Sequence, residues 1–381
     1  MRMFFSSIAL VGGILAASAA QGEPAATRRA EVQAAFDQAE RGQLTLAEVA
    51  RLQSHPLAGW LEVLVRERDV RGIGSDQLGD ILEGLGPQPA ATRLRQAWLR
   101  RAAAEGRWSD YLAHDREGGD VTLQCFSLQA KLATNAVDAA WVQAATGLWL
   151  SADSQPAACD PVFTALAQRG ELTPALRWQR IELAARAGNT GLMRAAARQL
   201  PEAELALIRD YAAFIDAPHA RAGQWPKNER SRAMAEIGLS RLARRDAGAA
   251  ERAMASNASL LPASSREHGA VRAAIALWTA ANFGAESARR LAAVPDAAFD
   301  EALHGWAVRE ALARGDRAAA LKAIERMPAA LRANAQWAYF EGRLREDLGD
   351  AAAAVPLLAA AAKSPTFHGF LAADRAGTPY A

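Results

Sequence analysis

From about residue 27 onward, apolar residues recur at the three-to-four-residue spacing of helices that bury one face. No stretch alternates apolar and polar residues as a half-buried strand would, and no Asn-Gly or Asp-Gly turn joins two apolar runs. The helical segments are short, roughly ten to twenty residues, and helices of that length are marginal alone and must pack on neighbours. Alanine, the strongest helix former, is abundant along the chain.

The breaks between segments share a form. Ala187-Gly188-Asn189 leads into Leu192-Met193, Arg314-Gly315-Asp316 into Ala319-Ala320-Leu321, and Leu348-Gly349-Asp350 into Ala353-Ala354-Val355. A glycine accepts the left-handed conformation that ends a helix, and the Asp or Asn after it caps the next one. Arg245-Asp246-Ala247-Gly248 is a looser copy. Small alanines then allow the second helix to approach the first. These are tetratricopeptide-like helical hairpins at irregular spacing, and they predict an all-α fold, a curved α-solenoid or superhelix. Trp60, Trp98, Trp108, Trp141, Trp149, Trp178, Trp278, Trp306 and Trp337 lie mostly on apolar helix stripes and are expected in the core between helices. Trp225 differs. It sits in Gly223-Gln224-Trp225-Pro226-Lys227, which reads as an exposed loop, so it is the candidate surface-binding residue.

The N-terminus carries a separate signal. Arg2, the apolar run 4–15 and the small residues Ala17-Ser18-Ala19 form the pattern of a secretory signal peptide over residues 1–19. The run is too short for a transmembrane helix, and no cysteine follows the cleavage site to take a lipid anchor. The expectation is an exported, periplasmic protein with no transmembrane segment.

Hydrophobic residues make up 51% of the chain and charged residues 23%, which is the composition of a folded protein. The formal charge is +2 with both signs interspersed, which argues against a nucleic-acid partner, since that needs a clustered basic face. In an exported chain the two cysteines, Cys125 and Cys159, most simply form one disulfide; the alternative is two buried thiols. Neither has a histidine or second cysteine at ligand spacing, and the six histidines are scattered, so no metal site is expected. There is no Gly-rich phosphate loop and no Gly-x-Ser-x-Gly elbow, and no cofactor is expected. Most carboxylates lie beside arginines in the manner of solvated helix pairs.

Several segments, taken in order, resemble the soluble lytic murein transglycosylase family. They are His55-Pro56-Leu57 with Trp60-Leu61-Glu62; Leu94-Arg95 with Trp98-Leu99 and Trp108; and the section from Cys125 through Trp149-Leu150-Ser151 to Ala158-Cys159-Asp160-Pro161. Gly170-Glu171-Leu172-Thr173, Met327-Pro328 and Trp337-Ala338-Tyr339-Phe340 with Arg343 continue the series. The closing Phe367-His368-Gly369-Phe370-Leu371-Ala372-Ala373-Asp374-Arg375 with Gly377 resembles the start of that family's linker domain. The resemblance is weakest over about residues 205 to 300.

The resemblance implies a superhelical domain over 20–363 and the opening of a linker domain over 364–381. It implies peptidoglycan as partner, together with a separate catalytic domain or a periplasmic protein. The family reaction is non-hydrolytic cleavage of the MurNAc–GlcNAc bond with 1,6-anhydro ring formation. In the family a Glu-Ser-x-aromatic motif and a Gly-Leu-Met-Gln motif carry that chemistry after the linker, and the chain reaches Ala381 before such a domain. Glu286-Ser287-Ala288-Arg289 lacks the aromatic residue, and Gly191-Leu192-Met193-Arg194 has Arg for Gln and precedes that Glu. No catalytic residue is therefore assigned. The expectation is a non-catalytic scaffold that presents a concave surface to peptidoglycan or positions a catalytic domain. The alternative is a periplasmic tetratricopeptide-like adaptor for a protein partner.

Overall fold

A computed structural model describes residues 22–116 and 118–381; the signal sequence expected over 1–19 lies outside them. Helix follows helix from Gly22–Glu40 to Phe367–Ala376, with no strand among the described residues. None of these helices is long and apolar enough to cross a membrane. The chain divides into two compact units, one of Met1–Trp149 with Gln155–Leu172, the other of Leu150–Ser154 with Thr173–Ala381.

The first unit is built around large rings that find partners for their polar atoms. Trp98, on helix Pro89–Ala104, is fully buried, and its Nε1–H donates to the Ile73 carbonyl at 2.8 Å. Trp141 is equally buried and donates to the Leu128 carbonyl at 2.9 Å, and the Tyr111 hydroxyl donates to the Leu123 carbonyl at 2.8 Å. Each bond satisfies a group that would otherwise cost about 1–3 kcal/mol to bury. Cys125 on helix Val121–Ala133 is bonded to Cys159, which ends the 3-10 turn Ala157–Cys159, with a Cα–Cα distance of 5.0 Å. Gln129 reinforces the tie by donating to the Ala158 carbonyl at 2.6 Å.

The second unit is a succession of hairpins whose turns follow the sequence pattern. Gly188 ends helix Pro174–Ala187 at φ 77°, and the Asn189 side chain accepts from Leu192 N–H at 3.0 Å to start Thr190–Ala196. Gly315 (φ 73°) and Asp316 do the same between Glu301–Ala313 and Arg317–Glu325, and Gly349 (φ 90°) and Asp350 between Ala335–Asp347 and Ala351–Ala361. The looser copy works differently. Asp246 alone closes Glu229–Arg245 and caps Ala247–Ser256 through a 2.8 Å bond from Ala249 N–H. Its extended backbone (φ −151°) makes the turn, so Gly248 is left inside the second helix.

Small residues let these helices close up. A Cβ on Gly238 would lie 2.6 Å from the Phe214 ring, and one on Gly342 would lie 2.9 Å from Leu358. The last helix, Phe367–Ala376, buries Gly369, Ala372 and Ala373 and leaves Phe367 and Phe370 exposed. It packs with Ala338, Ala354, Leu358 and Ala361 of the preceding hairpin.

Candidate ligand groove

Trp225 is not on the surface. It is 5% exposed, its ring centroid lies 4.6 Å from that of Tyr211 and 5.0 Å from that of Phe214, and its Nε1–H donates to Asp210 at 2.7 Å. Gly223 and Pro226 do place it beside a turn, but helix Glu202–Asp216 supplies both an aromatic wall and a carboxylate for the indole N–H. A tryptophan so satisfied is core, which corrects the surface role expected from its neighbours in sequence.

One groove that opens to solvent in the second unit lies along helices Pro174–Ala187, Glu229–Arg245 and Arg266–Ala281, and it has a volume of about 440 Å³. Arg186, Arg241, Arg244, Arg245, Glu236 and Trp278 line it. Ile237, Arg241 and Arg244 are spaced four and three residues apart and so share a helix face. Arg186, Arg244 and Arg245 stand in the last turns of their helices, where the partial negative charge of the helix end favours a cation.

Two of these guanidinium groups have defined neighbours. The Arg244 guanidinium carbon lies 5.2 Å from the Trp278 ring centroid, a cation–π contact against a half-buried indole. The Arg241 guanidinium lies so close over Gly188 that a Cβ there would overlap it. The turn glycine thus leaves room for an arginine as well as ending a helix. Arg245 donates to the Asp216 carbonyl at 3.5 Å.

Among the described residues Arg186, Arg241 and Arg244 form no ion pair. The carboxylate that lines the groove is Glu236, and Arg266 approaches it at 3.4 Å. Burial raises the Glu236 carboxyl above its usual range, while Arg266 and Arg186 pull the other way. A second groove of about 520 Å³ shares Arg186 and Ile237 with the first and adds Glu182, Arg230 and Arg266. There Arg230 stacks 3.9 Å over Trp178 and pairs with Glu182 at 3.5 Å. The first groove is therefore cation-rich, and the second is mixed in charge. Planar forks of N–H donors at fixed positions suit carboxylate or phosphate oxygens.

Comparison with known proteins supplies the context. At 27% identity over 387 residues, the chain matches along its whole length a soluble lytic murein transglycosylase of Salmonella typhimurium, and it does so at 27% identity over 93% of its length with one of Escherichia coli K12. It is a relative of the soluble lytic murein transglycosylases. Solved structures agree. The 70-kDa soluble lytic transglycosylase of Escherichia coli superposes with a TM-score of 0.80 at 25% identity over 93% of this chain. An inactive mutant of lytic transglycosylase Slt from Pseudomonas aeruginosa superposes at 0.69 and 26% identity over 91%. No family model matches the chain. The chain spans 59% and 55% of the length of the two curated transglycosylases, and 58% of each solved chain. What it shares with these lytic transglycosylases is thus an all-α helical region.

Proposed function

We propose that this chain is a non-catalytic helical scaffold, exported to the periplasm, that presents a binding surface to peptidoglycan or positions a catalytic domain over it. In this reading residues 20–363 are the scaffold and 364–381 open a linker to further sequence. The single observation that carries the reading is the continuous match, over 93–100% of the chain, to proteins named as murein transglycosylases. Any bond cleavage in a full-length form would be the family reaction, 1,6-anhydro ring formation at the MurNAc–GlcNAc linkage.

The carboxyl chemistry of the groove supports a binding role. A glycosidic acid needs a raised pKa and a free approach to the scissile oxygen. Glu236 has the raised pKa, but Arg266 occupies one of its oxygens and Arg186 adds a second cation nearby. With Arg266 at 3.4 Å, the carboxyl lacks the free approach that a glycosidic acid needs. The test is to incubate the purified chain with sacculi and analyse both pellet and soluble products. We expect the chain in the pellet and no anhydromuropeptides in solution. Anhydro products that disappear on a single carboxyl substitution would overturn the non-catalytic role. Recovery of periplasmic proteins, with no recovery on sacculi, would favour an adaptor.

A further inference from the structure

We propose that the arginine groove formed by Arg186, Arg241, Arg244 and Trp278 is a recognition site for clustered carboxylates on the peptide arms of a peptidoglycan strand. The proposal rests on the peptidoglycan reading above and assigns a place on the chain to that contact.

Charge is the first ground. Four guanidinium groups face one lining carboxylate, Glu236. The ends of Pro174–Ala187 and Glu229–Arg245 also contribute negative character, roughly half a charge each. Even with both helix ends counted against them, the arginines leave an excess of about two positive charges. Helix-end stabilisation explains why arginine is tolerated at these positions, but it does not consume the charge.

Preorganisation is the second ground. An exposed arginine gives up side-chain entropy when it binds, and that loss erodes the gain from a new pair. Here the Arg244 guanidinium carbon lies 5.2 Å from the Trp278 ring centroid, and Gly188 leaves the space that Arg241 fills. A cation–π contact uses none of the guanidinium N–H groups as hydrogen-bond donors to oxygen, so they can still serve oxygen ligands. Arg244 is therefore partly placed before a ligand arrives, which lowers the cost of binding.

Size and shape are the third ground. A groove of about 440 Å³ falls within the range of small-ligand sites, and its continuation past Arg186 and Ile237 into the mixed-charge groove gives an extended ligand somewhere to run. Peptidoglycan peptides carry several free carboxylates on a short arm. Neutral N-acetylglucosamine oligomers carry none.

The full chain should be titrated calorimetrically at low salt with four probes. These are a soluble disaccharide-tetrapeptide with free carboxylates, its carboxyl-amidated form, tetra-N-acetylchitotetraose, and an all-L acidic peptide. We expect the first to bind and each of the other three to bind at least roughly tenfold more weakly, the cost of losing one charge-assisted pair. Arg186→Ala and Arg244→Ala should each weaken the first probe by about tenfold, with raised salt weakening it further. Trp278 is a positioning residue. Trp278→Ala should weaken binding and Trp278→Tyr should restore most of it, since a second aromatic face can hold Arg244. Equal binding of the amidated form, or arginine variants that bind like the parent, would overturn the proposal. An all-L acidic peptide bound as tightly as the glycopeptide would overturn it in favour of a protein partner. Sedimentation with sacculi separates the two levels. Parent and arginine variants that pellet equally would remove the groove and leave the peptidoglycan reading standing; a parent that binds neither sacculi nor glycopeptide would remove both.

Discussion

The two units solve the same problem, packing short helices, by different means. In the first, the rings of Trp98, Trp141 and Tyr111 are fully enclosed, each gives its hydrogen to a backbone carbonyl, and a disulfide closes the section. In the second, hairpins close through repeated caps and small residues, and arginines cover rings left half open. Arg244 lies against Trp278, and Arg309 lies 5.4 Å from the centroid of Trp306. The enclosed rings spend their polar hydrogens inside the unit. Half-covered rings hold cations at fixed places on the surface. The candidate groove draws on such a half-covered ring, Trp278.

The contrast can be broken most forcefully at the enclosed rings. Trp98→Ala should cost about 3–5 kcal/mol in chemical denaturation, and Trp98→Phe should lose a smaller part by leaving the Ile73 carbonyl without its donor. Trp225→Ala should cost a similar amount, about 3–5 kcal/mol, because its indole is core. A loss below about 0.5 kcal/mol is what a surface residue would give, and it would return Trp225 to the loop.

Next in size is the covalent tie. Replacing both Cys125 and Cys159 by alanine opens a loop closed over a separation of 34 residues, which the chain-entropy relation values at about 3–4 kcal/mol. Reduction should lower the parent's Tm and leave the double variant unchanged. Smaller still are the caps of the second unit. Asn189→Ala and Asp246→Ala should each cost about 1 kcal/mol. If Asp246→Ala cost nothing while Asn189→Ala cost the usual amount, the turn would not depend on the Asp246 cap.

The smallest expected effect is one of pH. Glu251 accepts from Arg289 at 2.9 Å and from Arg290 at 2.8 Å; the Arg289 bond is the leading cause of a carboxyl pKa lowered from 4.5 to about 2, with burial opposing and Arg290 assisting. A depressed carboxyl pKa contributes stability above pH 4.5 that is lost as pH falls toward 2. The stability gap between parent and Glu251→Gln should therefore shrink over that window, modestly, since Glu251 is a third exposed and solvent screens the pair.

How much of this could be read in the sequence depended on how local the cause was. Gly188-Asn189, Gly315-Asp316 and Gly349-Asp350 were legible because a cap is satisfied within a few residues. At Asp246 the same composition hid a different turn, since the Asp precedes the Gly and does both jobs. Trp225 was misread for the opposite reason. Its immediate neighbours are turn residues, while the Asp210 carboxylate and the Tyr211 and Phe214 rings that bury it lie at least eleven residues away in the chain. The arginine groove left little sequence trace, because charges that balance along the chain are sorted only when Arg186 and the end of Glu229–Arg245 meet. The one available sign was the run of arginines at helix ends.

The central claim, that this helical chain presents a surface to peptidoglycan, is tested most directly by depletion. A fixed amount of the purified full chain is mixed with increasing amounts of sacculi, pelleted, and measured in the supernatant. The account predicts saturable depletion that weakens as salt rises. A chain that stays in the supernatant at every sacculus concentration would contradict it.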